Sequence, residues 1–329
     1  MTMGTKHGAG RLVAVVVTYN RLAQLQVTLP RLLNRPETEL AAVLVVDNAS
    51  SDGTAAWLAT QEDDPRLQVL RCETNLGGAG GFETGMRAAV AGFDPDWIVV
   101  MDDDARPEPD ALTRFHAQDR SGAEAWAAAV YHLDGRICDM NRPSINPFWH
   151  KQVLWRTILG KGRDGFHIGQ AEYSATTPCA IDGTSFVGFF ISRAGIERVG
   201  YPDGRLFLYG DDVLYTLGLS HAGGRILFDP DLRFEHDFST MTDEDKRFRP
   251  LWKSYYHYRN LLMVYRMASG LVFWLVLPAA AGKWLLKLRH HSGERLAFTG
   301  LVLRALRDGL LSRTDVPHAT VLGWAKKRG

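Results

Sequence analysis

The first third of the chain alternates short apolar runs with segments of helical spacing. The apolar runs are β-branched and of strand length, and they lie at 12–17, 40–46 and 97–101, with a further predicted strand at 66–72. Helical spacing is found at Leu22, Leu25, Leu29 and Leu32 and along 81–91. Continuous apolar runs are typical of strands covered on both faces. The pattern predicts an α/β fold with a doubly wound, mostly parallel sheet, whose ligands bind beyond the carboxyl ends of the strands.

The middle of the chain predicts fewer regular elements. Strands are predicted at 125–132 and 184–192, and a helix at 211–223 ends at a glycine pair. Between the two strands, 140–175 is rich in Trp, His, Pro and Gly, which indicates long loops that shape a pocket.

From 245 onward the pattern is helical and basic. The stretch 267–282 has no charge but contains Pro278, and it is shorter than the ~20 residues that span a bilayer. Lys283 to Gly329 contains ten Lys or Arg against three Asp or Glu. We expect two regions, an α/β domain with the ligand site at 1–244 and a helical extension at 245–329. A helix pair on a membrane surface is the favoured interpretation of the extension, and a helical cap or dimer interface is the alternative.

Composition narrows the class of protein. The chain has 329 residues, of which 46% are hydrophobic, and it can therefore bury a large core. Its net charge of +1 indicates neither a protein that coats nucleic acid nor one with an acidic tail. Cys72, Cys138 and Cys179 are too few and too scattered for a disulfide framework or a CxxC metal site, which suits a reducing compartment. The N-terminal residues lack the apolar core of a secretory signal, so we expect a cytoplasmic protein.

Three consecutive aspartates follow the apolar run at 97–101. Asp102, Asp103 and Asp104 repel one another unless solvent or a cation compensates their charge. In an extended strand end Asp102 and Asp104 point the same way and Asp103 points across. This pair suits a hard divalent cation, which prefers oxygen ligands. The alternative is a solvated acidic turn before a helix that starts near Pro107.

Polar residues follow the other apolar runs as well. Those after the first two strands are Thr18, Tyr19, Asn20, Asp47, Asn48 and Ser50. The stretch NLGGAGGF at 75–82 includes Asn75, Gly77 and Gly78, and its glycines allow close backbone approach to a ligand at a helix start. It is not a dinucleotide fingerprint, because the G-x-G-x-x-G spacing fails at Glu83. A flexible loop is the alternative.

Two further candidates lie in the second half of the chain. Asp211 and Asp212 begin a predicted helix, where carboxylates cap the helix or, at a pocket edge, act as a general base. His236 follows a predicted strand and is either a metal ligand or a hydrogen-bonded loop histidine.

Taken in order, VVVTYNR, VVDNASSDGT, NLGGAGGFETG, MDDDARPEP and GDDVLY resemble the motifs of glycosyltransferase family 2, and YYHYRN at 255–260 is similar to a Tyr/Arg/Asn element of many members. The resemblance implies the GT-A fold and inverting sugar transfer from a nucleotide sugar. The implied donor-binding residues are Thr18, Tyr19, Asn20, Asp47, Asn75, Gly77, Gly78, Asp102 and Asp103. It also implies that Asp102, Asp104 and His236 bind Mn²⁺ or Mg²⁺. Asp212 is then the catalytic base, assisted by Asp211.

Within the family, the triple aspartate, the glycine-rich loop and the later histidine look most like bacterial galactofuranosyltransferases, which implies UDP-galactofuranose as the donor. Rhamnosyltransferases and other hexosyltransferases share the framework. The stretch 183–190 lacks the paired tryptophans of polymerising members, which favours a single addition. The resemblance and the apolar, basic extension together predict a lipid-linked or envelope glycan acceptor at the inner face of the plasma membrane. Nucleic acid is not an expected partner, and oligomerisation is left open.

Two alternatives lie outside this class. A metal-dependent nucleotidyltransferase normally has a glycine-rich phosphate loop after its first strand, whereas this chain has TYNRLAQL. A noncatalytic membrane-associated binding module has no reason to keep Asp102, Asp104 and Asp212 at one pocket edge.

Overall fold

The computed structural model describes residues 10–61, 63–237 and 248–325. Its strands are β1 Leu12–Thr18, β2 Ala42–Asp47, β3 Leu67–Arg71, β4 Trp97–Asp102, β5 Ala105–Pro107, β6 Ala125–Tyr131, β7 Cys179–Ile181, β8 Phe189–Ser192 and β9 Ile226–His236. Its α-helices are α1 Leu22–Leu33, α2 Thr54–Ala59, α3 Gly77–Phe93, α4 Ala111–Ala117, α5 Lys151–Arg156, α6 Gln170–Tyr173, α7 Arg193–Val199, α8 Asp211–His221, α9 Lys253–Ser269, α10 Phe273–Leu286, α11 Arg295–Leu310 and α12 His318–Ala325.

The strands form one twisted sheet in the order β3-β2-β1-β4-β8-β6-β9-β5, with β7 also pairing with β9. The first four strands in this order are parallel, β6 is parallel to β9, and β8 is antiparallel to both of its neighbours. One face of the sheet packs against α1, α2 and α4, and the other against α3, α7 and α8. The predicted doubly wound, mixed and mostly parallel sheet is therefore confirmed.

Two predicted boundaries differ from the structure. The strand predicted at 184–192 begins only at Phe189, because Gly188 has a φ of +65° and turns the chain into the sheet. The helix predicted to start near Pro107 begins at Ala111 instead, because 105–107 pairs with the end of β9 as strand β5.

Helix α3 packs unusually close to the sheet. A Cβ atom at Gly85 would lie 2.5 Å from Val15 Cγ1, and one at Gly81 would lie 2.5 Å from Val17 Cγ1. Only glycine permits this approach, since such distances are well below van der Waals contact. Part of the glycine-rich pattern therefore serves helix packing rather than ligand approach.

The C-terminal helices α9 to α12 surround a third hydrophobic cluster, which includes Tyr255, Tyr258 and Phe298. The segment 253–290 meets the length and composition of a membrane span, and 22% of its most apolar part is buried. It is nevertheless two helices, because the chain turns at Gly270, where φ is +53°. Helix α10 alone has 14 residues and is about 21 Å long, which is shorter than a hydrocarbon core of about 30 Å.

Candidate active site

The carboxyl ends of β1 and β4 meet at the three aspartates. Strand β4 ends at Asp102, and Asp103 and Asp104 form a turn. The alternating side-chain directions predicted for an extended strand end therefore do not hold beyond Asp102. Thr18 Oγ1 donates a hydrogen bond of 2.7 Å to Asp103 Oδ2. Thr18 is 1% exposed and therefore positions a carboxylate rather than presenting its hydroxyl to a ligand.

Arg21 is the counter-charge of this cluster, and sequence reasoning missed it as a site residue. Its guanidinium lies 2.8 Å from Asp104 Oδ2 and 3.4 Å from Asp103 Oδ1. The contact between Arg21 and Asp103 Oδ1 is an ion pair and not a hydrogen bond. Asp103 Oδ1 is therefore buried without a hydrogen-bond partner among the described residues. The signal was present in the sequence, since Arg21 directly follows the polar residues after β1.

His236 contacts Asp104, the residue with which the resemblance implies that it shares a metal ion. The pairing of β5 with β9 sets Ala105 opposite His236, which brings His236 Nε2 to 3.2 Å from Asp104 Oδ1. The other ring nitrogen, Nδ1, lies 2.8 Å from Asn141 Oδ1, while Asn141 Nδ2 donates to Ser185 Oγ at 2.9 Å. The bond to Ser185 orients the amide, so Asn141 Oδ1 accepts a hydrogen bond from His236 Nδ1–H. Asn141 was also missed, since nothing in its local sequence marks it.

The ionisation of these carboxyls reflects crowding. Burial, followed by the charges of Asp104 and Asp103, raises the pKa of Asp102 well above its usual range. Burial raises the pKa of Asp103 to about 7. Burial is the largest single effect on Asp104 and acts in the same direction, but the hydrogen bond and charge of His236 together with the charge of Arg21 outweigh it and hold that pKa below its ordinary value. Two of the three carboxyls are therefore unfavourable as anions in the absence of more positive charge.

The donor set is compatible with a divalent cation. Within the part of the chain described, no three His, Cys, Asp or Glu side chains are already arranged around a common point, although Asp104 and His236 meet. Two of the three carboxyls pair with one guanidinium, and Asp103 Oδ1 has no hydrogen bond from a described residue. Carboxylate oxygens with one imidazole suit Mn²⁺ or Mg²⁺. The residues present therefore fit the implied metal.

The loop before α3 is held by its own side chains. Asn75 Oδ1 accepts a hydrogen bond of 2.8 Å from the Gly77 amide and one of 3.1 Å from Asn48 Nδ2. A Cβ at Gly77 would lie 2.0 Å from the Phe207 carbonyl, so this glycine is required for loop contact. At Gly78 nothing lies within 4 Å of the position that a Cβ would take, which leaves open space beside it. Of these three predicted residues, Gly78 is the one that leaves room for a ligand.

Asp47 contacts Arg71 and Cys72, which with Ala49 and Glu73 line a cavity of about 410 Å³. Its Oδ1 accepts a hydrogen bond of 2.9 Å from the Ser50 amide, whereas Oδ2 is buried without a hydrogen bond from any described residue and lies 3.9 Å from Arg71 Nε. An unsatisfied buried carboxylate oxygen is costly unless a ligand completes it.

Tyr19 and Asn20 lie in the loop after β1. Tyr19 is 44% exposed, and Asn20 Oδ1 accepts a hydrogen bond of 2.7 Å from the Ser51 amide. The larger cavity of about 800 Å³, between α11 and α12, contains none of the predicted site residues.

The acidic pair at the start of α8 is presented by a strained loop. Phe207 and Tyr209 adopt left-handed backbone conformations, with φ of +67° and +68°, which are unfavourable for residues with a Cβ. Asn260 Nδ2 lies within hydrogen-bond distance of the carbonyls of Leu206, Leu208 and Tyr209, at 3.1, 3.0 and 2.7 Å. Its neighbour Arg259 adds a bond of 2.8 Å to the Leu206 carbonyl.

Both Arg259 and Asn260 are 0% exposed. The Arg-Asn pair of the YYHYRN stretch therefore acts as a brace for the acidic pair.

The two carboxyls have different environments. Burial and the neighbouring charge of Asp212 raise the pKa of Asp211 to about 8, and burial raises that of Asp212 to about 6. Asp212 is half-buried, whereas Asp211 is 6% exposed. The charge of Asp211 also contributes to the raised pKa of Asp102, so the acidic pair lies close enough to the triple aspartate to interact electrostatically. The arrangement suits a general base at Asp212 near neutral pH.

The comparisons with known proteins agree with this geometry. The family model described as Glycosyl transferase family 2 matches residues 13–165. The chain is 32% identical to the undecaprenyl-phosphate mannosyltransferase of Micrococcus luteus over 52% of this chain and 70% of the relative. It is 30% identical to galactofuranosyltransferase GlfT1 of Mycolicibacterium smegmatis over 64% of this chain. The chain belongs to glycosyltransferase family 2.

The match covers 65% of the length of GlfT1 and 41% of the length of the M. smegmatis galactofuranosyltransferase GlfT2. Among solved structures, S. aureus TarS 1-349 in complex with UDP-GlcNAc has a TM-score of 0.51 at 14% identity, covering 93% of this chain and 88% of that one. The mannosyltransferase PcManGT from Pyrobaculum calidifontis, in complex with GDP-Man and Mn²⁺, has a TM-score of 0.51 at 19% identity, covering 96% and 86%. These likenesses support the GT-A fold.

Proposed function

We propose that the protein is a metal-dependent, inverting glycosyltransferase that moves a sugar from a UDP-sugar to an acceptor hydroxyl. The observation that carries this proposal is the acidic pair at Asp211 and Asp212, which a braced loop holds close enough to the triple aspartate for the two to interact electrostatically. UDP-galactofuranose is the favoured donor, since several relatives are named galactofuranosyltransferases. Transfer of mannose, rhamnose or another hexose is the second candidate, and a mannosyltransferase among the relatives supports it.

In this mechanism Asp212 takes the proton of the acceptor hydroxyl as that oxygen attacks the anomeric carbon from the face opposite the leaving group. The displacement inverts configuration and needs no covalent intermediate. Asp211, protonated at neutral pH by virtue of its burial, donates a hydrogen bond that holds the acceptor or orients Asp212. Asp47 and the space beside Gly78 receive the nucleotide.

Asp102, Asp104 and His236 would hold the cation. A divalent ion bound there would neutralise the negative charge of the diphosphate leaving group. Arg21 lies on Asp103 and Asp104 and contributes positive charge to the same region.

The proposed acceptor is a lipid-linked or envelope glycan at the inner face of the plasma membrane, with a single sugar added. Two observations support a membrane location. One relative is named for undecaprenyl phosphate, and the C-terminal region exposes much of its most apolar part. The region 245–329 is accordingly proposed as the membrane-associated part of the chain, and 1–244 as the catalytic part.

The test is binding and hydrolysis of a panel of nucleotide sugars, with and without Mn²⁺ or Mg²⁺, for the wild-type protein and Asp212→Asn. We expect metal-dependent preference for a UDP-sugar. The variant should retain donor binding and lose about 10²–10⁴-fold in turnover, because its amide accepts no proton. Asp134→Asn, an exposed acidic residue in a turn, is the control. Full turnover in Asp212→Asn would refute the assignment of the base, and indifference to every nucleotide sugar would refute the proposed function.

A further inference from the structure

A short segment far from the C-terminal helices in sequence exposes an apolar tip. Trp155, Ile158 and Leu159, in α5 and the turn that follows it, are 62%, 61% and 78% exposed. Val153 is buried and anchors the segment to the protein. Residues 151–163, called here the docking loop, contain Lys or Arg at 151, 156, 161 and 163 and no Asp or Glu. Three large apolar side chains in one exposed tip indicate a surface that a partner covers.

A second exposed apolar surface lies on residues 270–289, called here the docking helix. Its outward side chains include Leu271, Trp274 and Leu275, which are 94%, 64% and 78% exposed, while Phe273 and Trp284 face the interior. A helix that is apolar on both sides requires a second apolar environment. The outward face of the docking helix therefore also lacks its partner.

The fold joins the chain just before each of these two segments at one point. Asn146, which lies just before the docking loop and is 3% exposed, donates a hydrogen bond of 3.0 Å from Nδ2 to the carbonyl of Ala268. Ala268 lies just before the docking helix. The two apolar surfaces, more than a hundred residues apart in sequence, thus extend from one buried junction.

Charge identifies the partner. The docking helix contains Lys283, Lys287 and Arg289 and no Asp or Glu, and the docking loop adds four more basic residues. A second copy of this surface would bring like charges together, whereas an anionic bilayer attracts basic residues near its surface. We propose that the docking loop and the docking helix form one face that binds the surface of an anionic membrane. This deepens the proposed function, because it makes the loop after β6 a membrane contact of a lipid-directed transferase.

The test measures binding of the full-length protein to vesicles. The probes are phosphatidylcholine vesicles with and without phosphatidylglycerol, at low and high salt. The loop variant carries Trp155→Ser, Ile158→Ser and Leu159→Ser. The helix variant carries Leu271→Ser, Trp274→Ser and Leu275→Ser. The matched control carries Val27→Ser and Leu133→Ser, which replace side chains that are 47% and 60% exposed elsewhere.

We expect binding to require phosphatidylglycerol and to weaken with salt. Each triple variant should lose on the order of tenfold or more in vesicle affinity, since three apolar side chains no longer enter the interface. The control should bind as the wild type does. If only the helix variant lost vesicle affinity, the assignment of the docking loop would be overturned. It would also be overturned if the loop variant changed the molar mass of the protein in solution and left vesicle binding unchanged.

Binding that ignores lipid charge and salt would also overturn the proposal. Donor hydrolysis in solution serves as a separate measurement, so a failure of membrane docking is distinguishable from a failure of the proposed enzyme activity.

Discussion

Asn260 offers the sharpest test of how the acidic pair is held. The side-chain amide of Asn260 has two hydrogens, and three backbone carbonyl oxygens lie within hydrogen-bond distance of its nitrogen. Asn260→Leu therefore leaves two carbonyls without this donor. Each such loss costs about 1–3 kcal/mol. The left-handed conformations at Phe207 and Tyr209 store strain of about 1–3 kcal/mol each, which is released if the loop rearranges. The two energies are of similar size, so we expect the loop to rearrange rather than the protein to unfold.

The expected result is a large kinetic effect with a small loss of stability. Displacement of Asp212 by about 1 Å lowers turnover by about 10²-fold. Donor affinity should change little, because the triple aspartate and the Asp47 cavity remain intact. Steady-state kinetics, donor binding and thermal unfolding measure the three quantities. The control is Asn146→Leu, another buried asparagine that donates to a single carbonyl far from the acidic pair. Wild-type turnover in Asn260→Leu, or loss of turnover only in proportion to unfolding, would refute the reasoning.

Three further changes have defined outcomes. The pH profile of turnover should rise through about 6 as Asp212 ionises. Because the folded pKa of Asp211, about 8, lies above its unfolded value near 4, the folded state binds more protons. The contribution of Asp211 to the free energy of unfolding should then fall by about 1.4 kcal/mol for each unit by which the pH rises between those values. Asp211→Asn should flatten this slope in denaturant titrations. Asn141→Leu should lower Mn²⁺ affinity by about 10–100-fold in calorimetry, whereas Asn141→Asp preserves the acceptor for the histidine. Gly85→Ala should destabilise the protein by about 1–3 kcal/mol, whereas Gly92→Ala in the same helix should not, because its Cβ meets only a side-chain atom at 3.6 Å.

Each of these expectations has a clear contrary result. A pH-independent stability in the wild-type protein would contradict the burial of Asp211 as a proton-bound group. Unchanged Mn²⁺ affinity in Asn141→Leu would mean that the histidine ring is oriented by other contacts. Equal stability of the two alanine variants would show that α3 can move away from the sheet at little cost.

The local pattern of the chain was sufficient for the parallel half of the sheet. The runs at 12–17 and 97–101 are apolar at every position, which is the signature of strands buried on both faces, and the structure confirms them within a residue. The motif-based assignment to glycosyltransferase family 2 is also confirmed. Both results depend on short-range order in the sequence, where residue type and spacing carry the information.

Other features depend on contacts between distant residues. The pairing of Asp104 with His236 was implied by resemblance, but its cause is the antiparallel contact of β5 with β9. Arg21 follows the polar residues after β1 and Asn260 belongs to the YYHYRN element, whereas Asn141 has no local signal, and in none of the three does the sequence indicate the partner. Each acquires its role only when the fold brings it to a buried charge, a ring nitrogen or a row of carbonyls.

The sequence by itself thus determined the parallel half of the sheet and the family, because periodicity and motif spacing are properties of consecutive positions. The tertiary structure alone decided which partners the acidic residues have, why the glycine-rich helix needs glycine, and which apolar surfaces remain uncovered. The physical reason is that burial, desolvation and hydrogen-bond satisfaction depend on what surrounds a side chain in space. No local pattern encodes the neighbours that arrive from more than a hundred residues away.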